Sequence, residues 1–125
     1  MKKTGILHAE LSRAIATMGH GDMIVVADCG LPVPQGVPCI DLAVTLGVPG
    51  FFDVLDAILG ELKVERAVIA SEASGELQAA ITTRIGTTSV DHETFKAQTA
   101  QARAIVRTGE ATPYANIALY SGVVF

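Results

Sequence analysis

Met18-Gly19-His20-Gly21-Asp22 runs directly into Met23-Ile24-Val25-Val26-Ala27-Asp28, and from there into Cys29-Gly30-Leu31-Pro32-Val33-Pro34. The centre of this stretch, Met23 to Ala27, is apolar without alternation. A strand of that kind is buried on both faces, as in sheets that helices cover on either side. Two glycines bracket a histidine before it and mark a turn. An aspartate and a proline-rich loop follow it. Strand exits of this sort are where α/β folds hold ligand-binding groups.

The neighbouring segments extend the pattern in both directions. Leu7, Leu11, Ala14, Ile15 and Met18 recur at helical spacing and predict an amphipathic helix that Gly19 stops. Leu31 to Pro38 reads as an extended loop, and Ile40 to Val44 as a second apolar strand. Pro49 opens a helix with Phe52, Leu55, Ile58, Leu59 and Leu62 on one face. Val64 to Ser71 predicts a strand, Gly75 to Ile85 a helix and Thr87 to Val90 a short strand. Asp91 caps a helix from His92 to about Gln101. Ala104 to Arg107 reads as a strand, and Asn116 to Tyr120 with Val123 to Phe125 as one or two closing strands. Strands alternating with helices predict an α/β sheet with both faces covered. No repeat or linker divides residues 1–125, so one domain is expected.

Composition narrows the function classes. Half of the 125 residues are apolar and the formal net charge is −4. An acidic balance carries no footprint for nucleic acid. No apolar run reaches the length of a membrane span, and the start Met1-Lys2-Lys3-Thr4-Gly5 is not followed by a signal-peptide core, so a cytoplasmic protein is expected. Cys29 and Cys39 are too few for a zinc set and read as reduced, half-buried thiols. Three dispersed histidines predict no metal site, and no nucleotide or phosphate-loop pattern occurs. The apolar end Ser121-Gly122-Val123-Val124-Phe125 is either a subunit contact or an edge strand tucked into its own sheet.

Four groups could carry chemistry. His20 follows a helix C-terminus, whose dipole favours the imidazolium, and Asp22 stands close to it in sequence. Asp28 ends a strand too apolar for the surface, so it either faces a pocket, orients His20, or ties down the next turn. His92, in the first turn of a helix, leans neutral. Two histidines in opposed helix-end environments are a mark of acid/base assignment. Pro113-Tyr114-Ala115-Asn116 pairs an aromatic face with an amide, a combination suited to sugar hydroxyls. Lys96 shares a helix face with His92, and His8 reads as a surface residue without a partner.

These pieces together resemble the D-ribose pyranase family along nearly the whole chain. The resemblance is carried by Gly19-His20-Gly21-Asp22, Asp28-Cys29-Gly30-Leu31-Pro32-Val33-Pro34, Ile40-Asp41-Leu42-Ala43, Gly47-Val48-Pro49, His92-Glu93-Thr94-Phe95-Lys96 and Arg107-Thr108-Gly109-Glu110-Ala111-Thr112-Pro113-Tyr114-Ala115-Asn116. It implies a three-layer α/β/α fold around a mixed, mostly parallel sheet. It implies an isomerase without cofactor that interconverts β-D-ribopyranose and β-D-ribofuranose, supplying ribose for phosphorylation. It implies a homo-oligomer, typically a decamer of two pentamers, with sites near subunit boundaries. The family's proton donor falls on His20, and its substrate-binding positions fall on Asp28, His92, Tyr114, Ala115 and Asn116. Fucose mutarotases share the Gly-His-Gly-Asp element, but the Gly-Leu-Pro-Val-Pro loop and His92 follow the ribose pattern. The region Ser71 to Thr87 is shorter than in some longer members. The competing readings are a fucose-type anomerase and a non-catalytic sugar-binding module linked to ribose uptake.

Overall fold

A computed structural model describes residues 1–125. Six strands form one sheet in the order β2-β5-β1-β6-β3-β4. They are β1 (Met23–Ala27), β2 (Cys39–Asp41), β3 (Val64–Ala70), β4 (Thr88–Val90), β5 (Ala104–Arg107) and β6 (Ile117–Ser121). β6 is antiparallel to both β1 and β3, while the pairs β1–β5, β2–β5 and β3–β4 are parallel. Five strands therefore point one way, and β6 runs against them through the middle.

The uninterrupted apolar run of β1 has a direct cause. Its five residues are all buried, and successive side chains enter opposite layers. Ile24 and Val26 join the larger core, with Val106, Ile117, Leu119 and Ile69 from neighbouring strands. Leu11, Phe51, Leu55, Ile58, Leu77 and Ile81 close that core from helices α1 (Ala9–Ala16), α2 (Phe51–Leu59) and α3 (Gly75–Thr82). Met23, Val25 and Ala27 face a smaller core built on Phe95 of α4 (His92–Gln98), with Leu31, Ile105 and Ala118. Three helices thus cover one face and a single helix the other, giving three layers of α/β/α.

Local signals set the helix ends. Ser74 and Asp91 accept the Leu77 and Thr94 N–H groups as N-caps of α3 and α4. The Asp53 carboxylate accepts the Gly50 N–H at the start of α2, 3.1 Å away. His8 is the N-cap of α1, its Nδ1 accepting the Leu11 N–H at 3.2 Å. The histidine is exposed as expected, but it has a partner.

Three segments depart from the sequence reading. α1 begins at Ala9 and ends at Ala16, before Gly19, because the Thr17 hydroxyl turns back to Ala14 O and the Met18 N–H to Ile15 O. β2 stops at Asp41, and a hairpin bridge between Thr45 and Val48 replaces the rest of the predicted strand. Val123 to Phe125 forms no strand, and Val124 and Phe125 stand fully in solvent. Cys29 and Cys39 are both free, with Cys39 exposed rather than half-buried. No helix is long and apolar enough to cross a membrane.

Candidate active site

The exit of β1 is a built feature. Asp28 follows the last strand residue, and its Oδ1 accepts the Gly30 N–H at 2.9 Å, which folds the loop back. Leu31 anchors that loop in the smaller core. Asn116, fully buried, stands immediately before antiparallel β6 and so arrives beside the end of β1. Its Oδ1 accepts the Asp28 N–H at 2.9 Å, and its Nδ2 donates to Asp28 Oδ2 at 3.0 Å. Only this orientation of the amide matches a donor with an acceptor at both ends. The clasp fixes the carboxylate in one pose.

The turn that delivers Asn116 is strained. Tyr114 has φ +64°, a left-handed conformation that costs a side-chain-bearing residue about 1–2 kcal/mol. The Asn116 N–H bonds back to Tyr114 O at 2.8 Å. This conformation brings the Tyr114 ring edge-on to the His92 ring, with centroids 5.0 Å apart. His92 also lies parallel to Phe95 at 6.5 Å. Its Nδ1 is enclosed without a hydrogen-bond partner, which leaves Nε2 as the reachable ring nitrogen.

Residues 28–32, His92 and residues 110–114 enclose a cavity of about 350 Å³. That volume lies in the range of small-molecule sites. Glu110 belongs to its wall. Glu110 Oε1 accepts the Phe51 N–H and Oε2 the Thr112 hydroxyl, both at 3.1 Å. Burial pushes its carboxyl pKa up, but these donors outweigh it and hold the pKa below the ordinary value. Behind it, Gly109 packs against the backbone of the 44–48 hairpin, where an added Cβ would meet Thr45 O and Val48 O at 2.5 Å. No group of three or more His, Cys, Asp or Glu residues is arranged to hold a metal ion.

The structure thus gathers Asp28, His92 and Tyr114 around one cavity. Ala115 and Asn116 are fully buried behind its wall. The amide predicted to meet hydroxyls bonds Asp28 through both its oxygen and its nitrogen. His20 lies elsewhere. It precedes β1 while Asp28 follows it, so the full strand, roughly 16 Å at ~3.3 Å per residue, separates them within one chain. The expected orientation of His20 by Asp28 is absent within the chain. Its Nε2 meets Glu65 Oε2 of β3 instead, at 3.0 Å. Asp22 does not reach it either: its Oδ2 accepts the Gly19 N–H at 2.9 Å and faces Arg103 at 3.4 Å. Lys96 pairs with Glu93 at 2.7 Å and stays outside the cavity.

Three carboxylates escaped the sequence reading. Glu110 lies inside the Arg107 to Asn116 segment that carries the family resemblance. Glu72 leaves β3 as Asp28 leaves β1, and the same rule of strand exits could have found it. Glu65 had no signal, because its approach to His20 depends on strand order.

Comparison with known proteins gives the family and the fold. The profile of the RbsD / FucU transport protein family matches residues 1–124. A protein named D-ribose pyranase from Paracidovorax citrulli is 55% identical over 130 residues, covering 100% of both chains. Another of that name from Geobacillus kaustophilus is 51% identical, covering 100% of this chain and 96% of its own. Bacillus subtilis RbsD, solved in complex with D-ribose, superposes with a TM-score of 0.95 at 41% identity over all of both chains. The fucose mutarotase of Streptococcus pneumoniae, solved with L-fucose, gives 0.77 at 28% identity over 95% of each chain. The chain belongs to the RbsD/FucU family.

Proposed function

We propose that this protein is a D-ribose pyranase, interconverting the pyranose and furanose rings of the sugar by general acid/base catalysis without a cofactor. The observation that carries the reading is the cavity at the exit of β1. A clasped carboxylate, an imidazole and a phenol ring converge there, on a fold that matches a ribose-bound relative.

Pyranose-to-furanose conversion opens one hemiacetal and closes another. The ring oxygen gains a proton while the anomeric hydroxyl loses one. The open chain rotates, and a different hydroxyl attacks the aldehyde. Each half requires only proton transfer, which a positioned side chain accelerates ~10²–10⁴-fold. Asp28, with its carboxylate locked, accepts hydrogen bonds from sugar hydroxyls. His92 Nε2 and the Tyr114 ring hold the opposite side. His20 gives and retrieves the proton at the ring oxygen. Glu65 is an acceptor, so it keeps a proton on His20 Nε2 and leaves Nδ1 to carry the exchange.

His20 then has to come from a second copy. Support lies in where the exposed apolar groups sit. Val44, Leu46 and Val48 project from the hairpin at the Asp28 end. Val124 and Phe125 project at the His20 end, just after Gly122, whose N–H bonds Lys63 O. Head-to-tail contact between such ends generates a closed ring when the rotation allows it. The reading includes a homodecamer of two rings, a cytoplasmic location, and delivery of furanose for phosphorylation.

Saturation-transfer NMR on D-ribose, with L-fucose as the comparison sugar, tests the reading. The protein should speed exchange between ribose ring forms well above the spontaneous rate. His20→Ala and Asp28→Ala should each abolish it. Co-refolded in equal amounts, the two variants should recover about a quarter of the wild-type rate, because half the donors and half the pockets are intact. Binding of ribose without faster exchange would leave only a sugar-binding module. Preferential action on fucose would identify an anomerase.

A further inference from the structure

Glu72 sits two residues beyond the end of β3 and reaches across to the start of α4. Both of its carboxylate oxygens lie on the His92 main-chain N–H, Oε1 at 3.0 Å and Oε2 at 2.8 Å. The Ser71 hydroxyl adds a third bond, to Oε1, at 2.9 Å. The His92 N–H lowers the Glu72 pKa most, enough to overcome partial desolvation, so the group is a carboxylate at neutral pH. The geometry has a clear object. His92 is the first residue of α4, and the N–H groups of a helix's first turn have no partner within the helix. Asp91 answers the Thr94 N–H through Oδ1 and the Thr94 hydroxyl through Oδ2. Glu72 answers His92 itself. α4 is also the only α-helix on its face of the sheet, followed by a single 3-10 turn at Thr99–Gln101, so no neighbouring α-helix braces its N-terminus.

We propose that Glu72 is a positioning residue for the sugar site: by gripping the His92 main chain it seats the imidazole against Tyr114 at the cavity wall. The ring needs that help, because its own Nδ1 finds no partner, and its packing rests on the Phe95 and Tyr114 rings. Without Glu72 the first turn of α4 frays and the imidazole leaves the plane in which Nε2 meets a hydroxyl. Glu72 does not touch the reacting atoms, so the proton-transfer step itself is unaffected. The inference rests on the sugar-binding role of His92 proposed above.

Ring-exchange kinetics at varied ribose, joined to NMR of the His92 ring, test it on the full-length assembled protein. Glu72→Ala should raise KM about tenfold, the upper end for one ordinary hydrogen bond, with kcat within about twofold of wild type. The His92 ring protons should lose the ring-current shifts imposed by Phe95 and Tyr114. Glu72→Gln keeps an acceptor oxygen at the same reach and should restore both. Should Glu72→Ala not fold, Glu72→Asp replaces it, since the shorter arm cannot span to His92 and should raise KM while Glu72→Gln does not. Unchanged KM and His92 shifts in a folded Ala or Asp variant would overturn the inference. So would a fall in kcat with His92 shifts intact, because that marks general loosening. Absence of ribose exchange in the wild type would instead refute the function reading, and the His92 signals would still decide the grip.

Discussion

Replacing Asn116 by alanine should unlock Asp28. The amide is fully buried and makes two bonds to the same residue. One joins neutral groups at 2.9 Å and contributes about 1 kcal/mol. The other ends on a carboxylate at 3.0 Å and contributes about 2 kcal/mol. Their joint removal should cost about 3 kcal/mol of stability. With a urea m-value of about 1.5 kcal/mol/M, the midpoint should fall by about 2 M at fixed protein concentration, with m unchanged. Ribose ring exchange should fall with it, because the carboxylate no longer has one pose. Asn116→Asp sharpens the test. It is nearly isosteric but sets two carboxyls about as close as the lost bond, so one must hold a proton. Its folded pKa is then raised above the unfolded value. Stability is present below the unfolded pKa and is lost as pH rises toward the folded one. Acidifying Asn116→Asp from about pH 7 to 5 should therefore recover part of its loss, while Asn116→Ala recovers none. A midpoint within about 0.5 M of wild type for Asn116→Ala, or a pH-flat Asn116→Asp, would refute the clasp.

Gly109→Ala should destabilise by about 1–3 kcal/mol, read as a lower Tm, because its methyl would overlap backbone atoms of the 44–48 hairpin that no side-chain rotation can move. Toleration of alanine would mean the hairpin is not seated there. Glu110 has a depressed folded pKa, so its contribution is present above the ordinary carboxyl range and is lost as pH falls through the folded value. Tm measured from about pH 6 to 3 should fall less steeply for Glu110→Gln than for wild type, and identical slopes would contradict the Phe51 and Thr112 bonds.

The layered fold was readable because β1 leaves little choice. Five apolar residues in a row cannot face water on either side, and helical periodicity before and after supplied the covers. Asp91 and Ser74 announced their helices through short polar side chains. The errors have equally local causes. Thr17 ends α1 with a hydroxyl bond that periodicity does not register. Val123 to Phe125 has strand composition but no neighbouring strand to pair with. The site was half readable. Asp28, His92 and Tyr114 converge because strand exits, caps and prolines flag them. That the Asn116 side chain reaches Asp28 follows from β6 running antiparallel to β1, a relation carried by topology alone. The separation of His20 from Asp28 follows from the same strand that first drew attention to both.

The borders of the sheet have a consequence for how copies can meet. β2 and β4, the outermost strands, are three residues long, and Arg107 crosses to Asp41 at the β2 margin. So little exposed backbone cannot template a neighbour's strand, and a charge pair at the rim discourages it further. Lengthening of the sheet into a fibril is thereby disfavoured, although half of the chain is apolar. The head-to-tail contact proposed above uses the projecting loop and the terminus instead, and such contacts can close on themselves and stop.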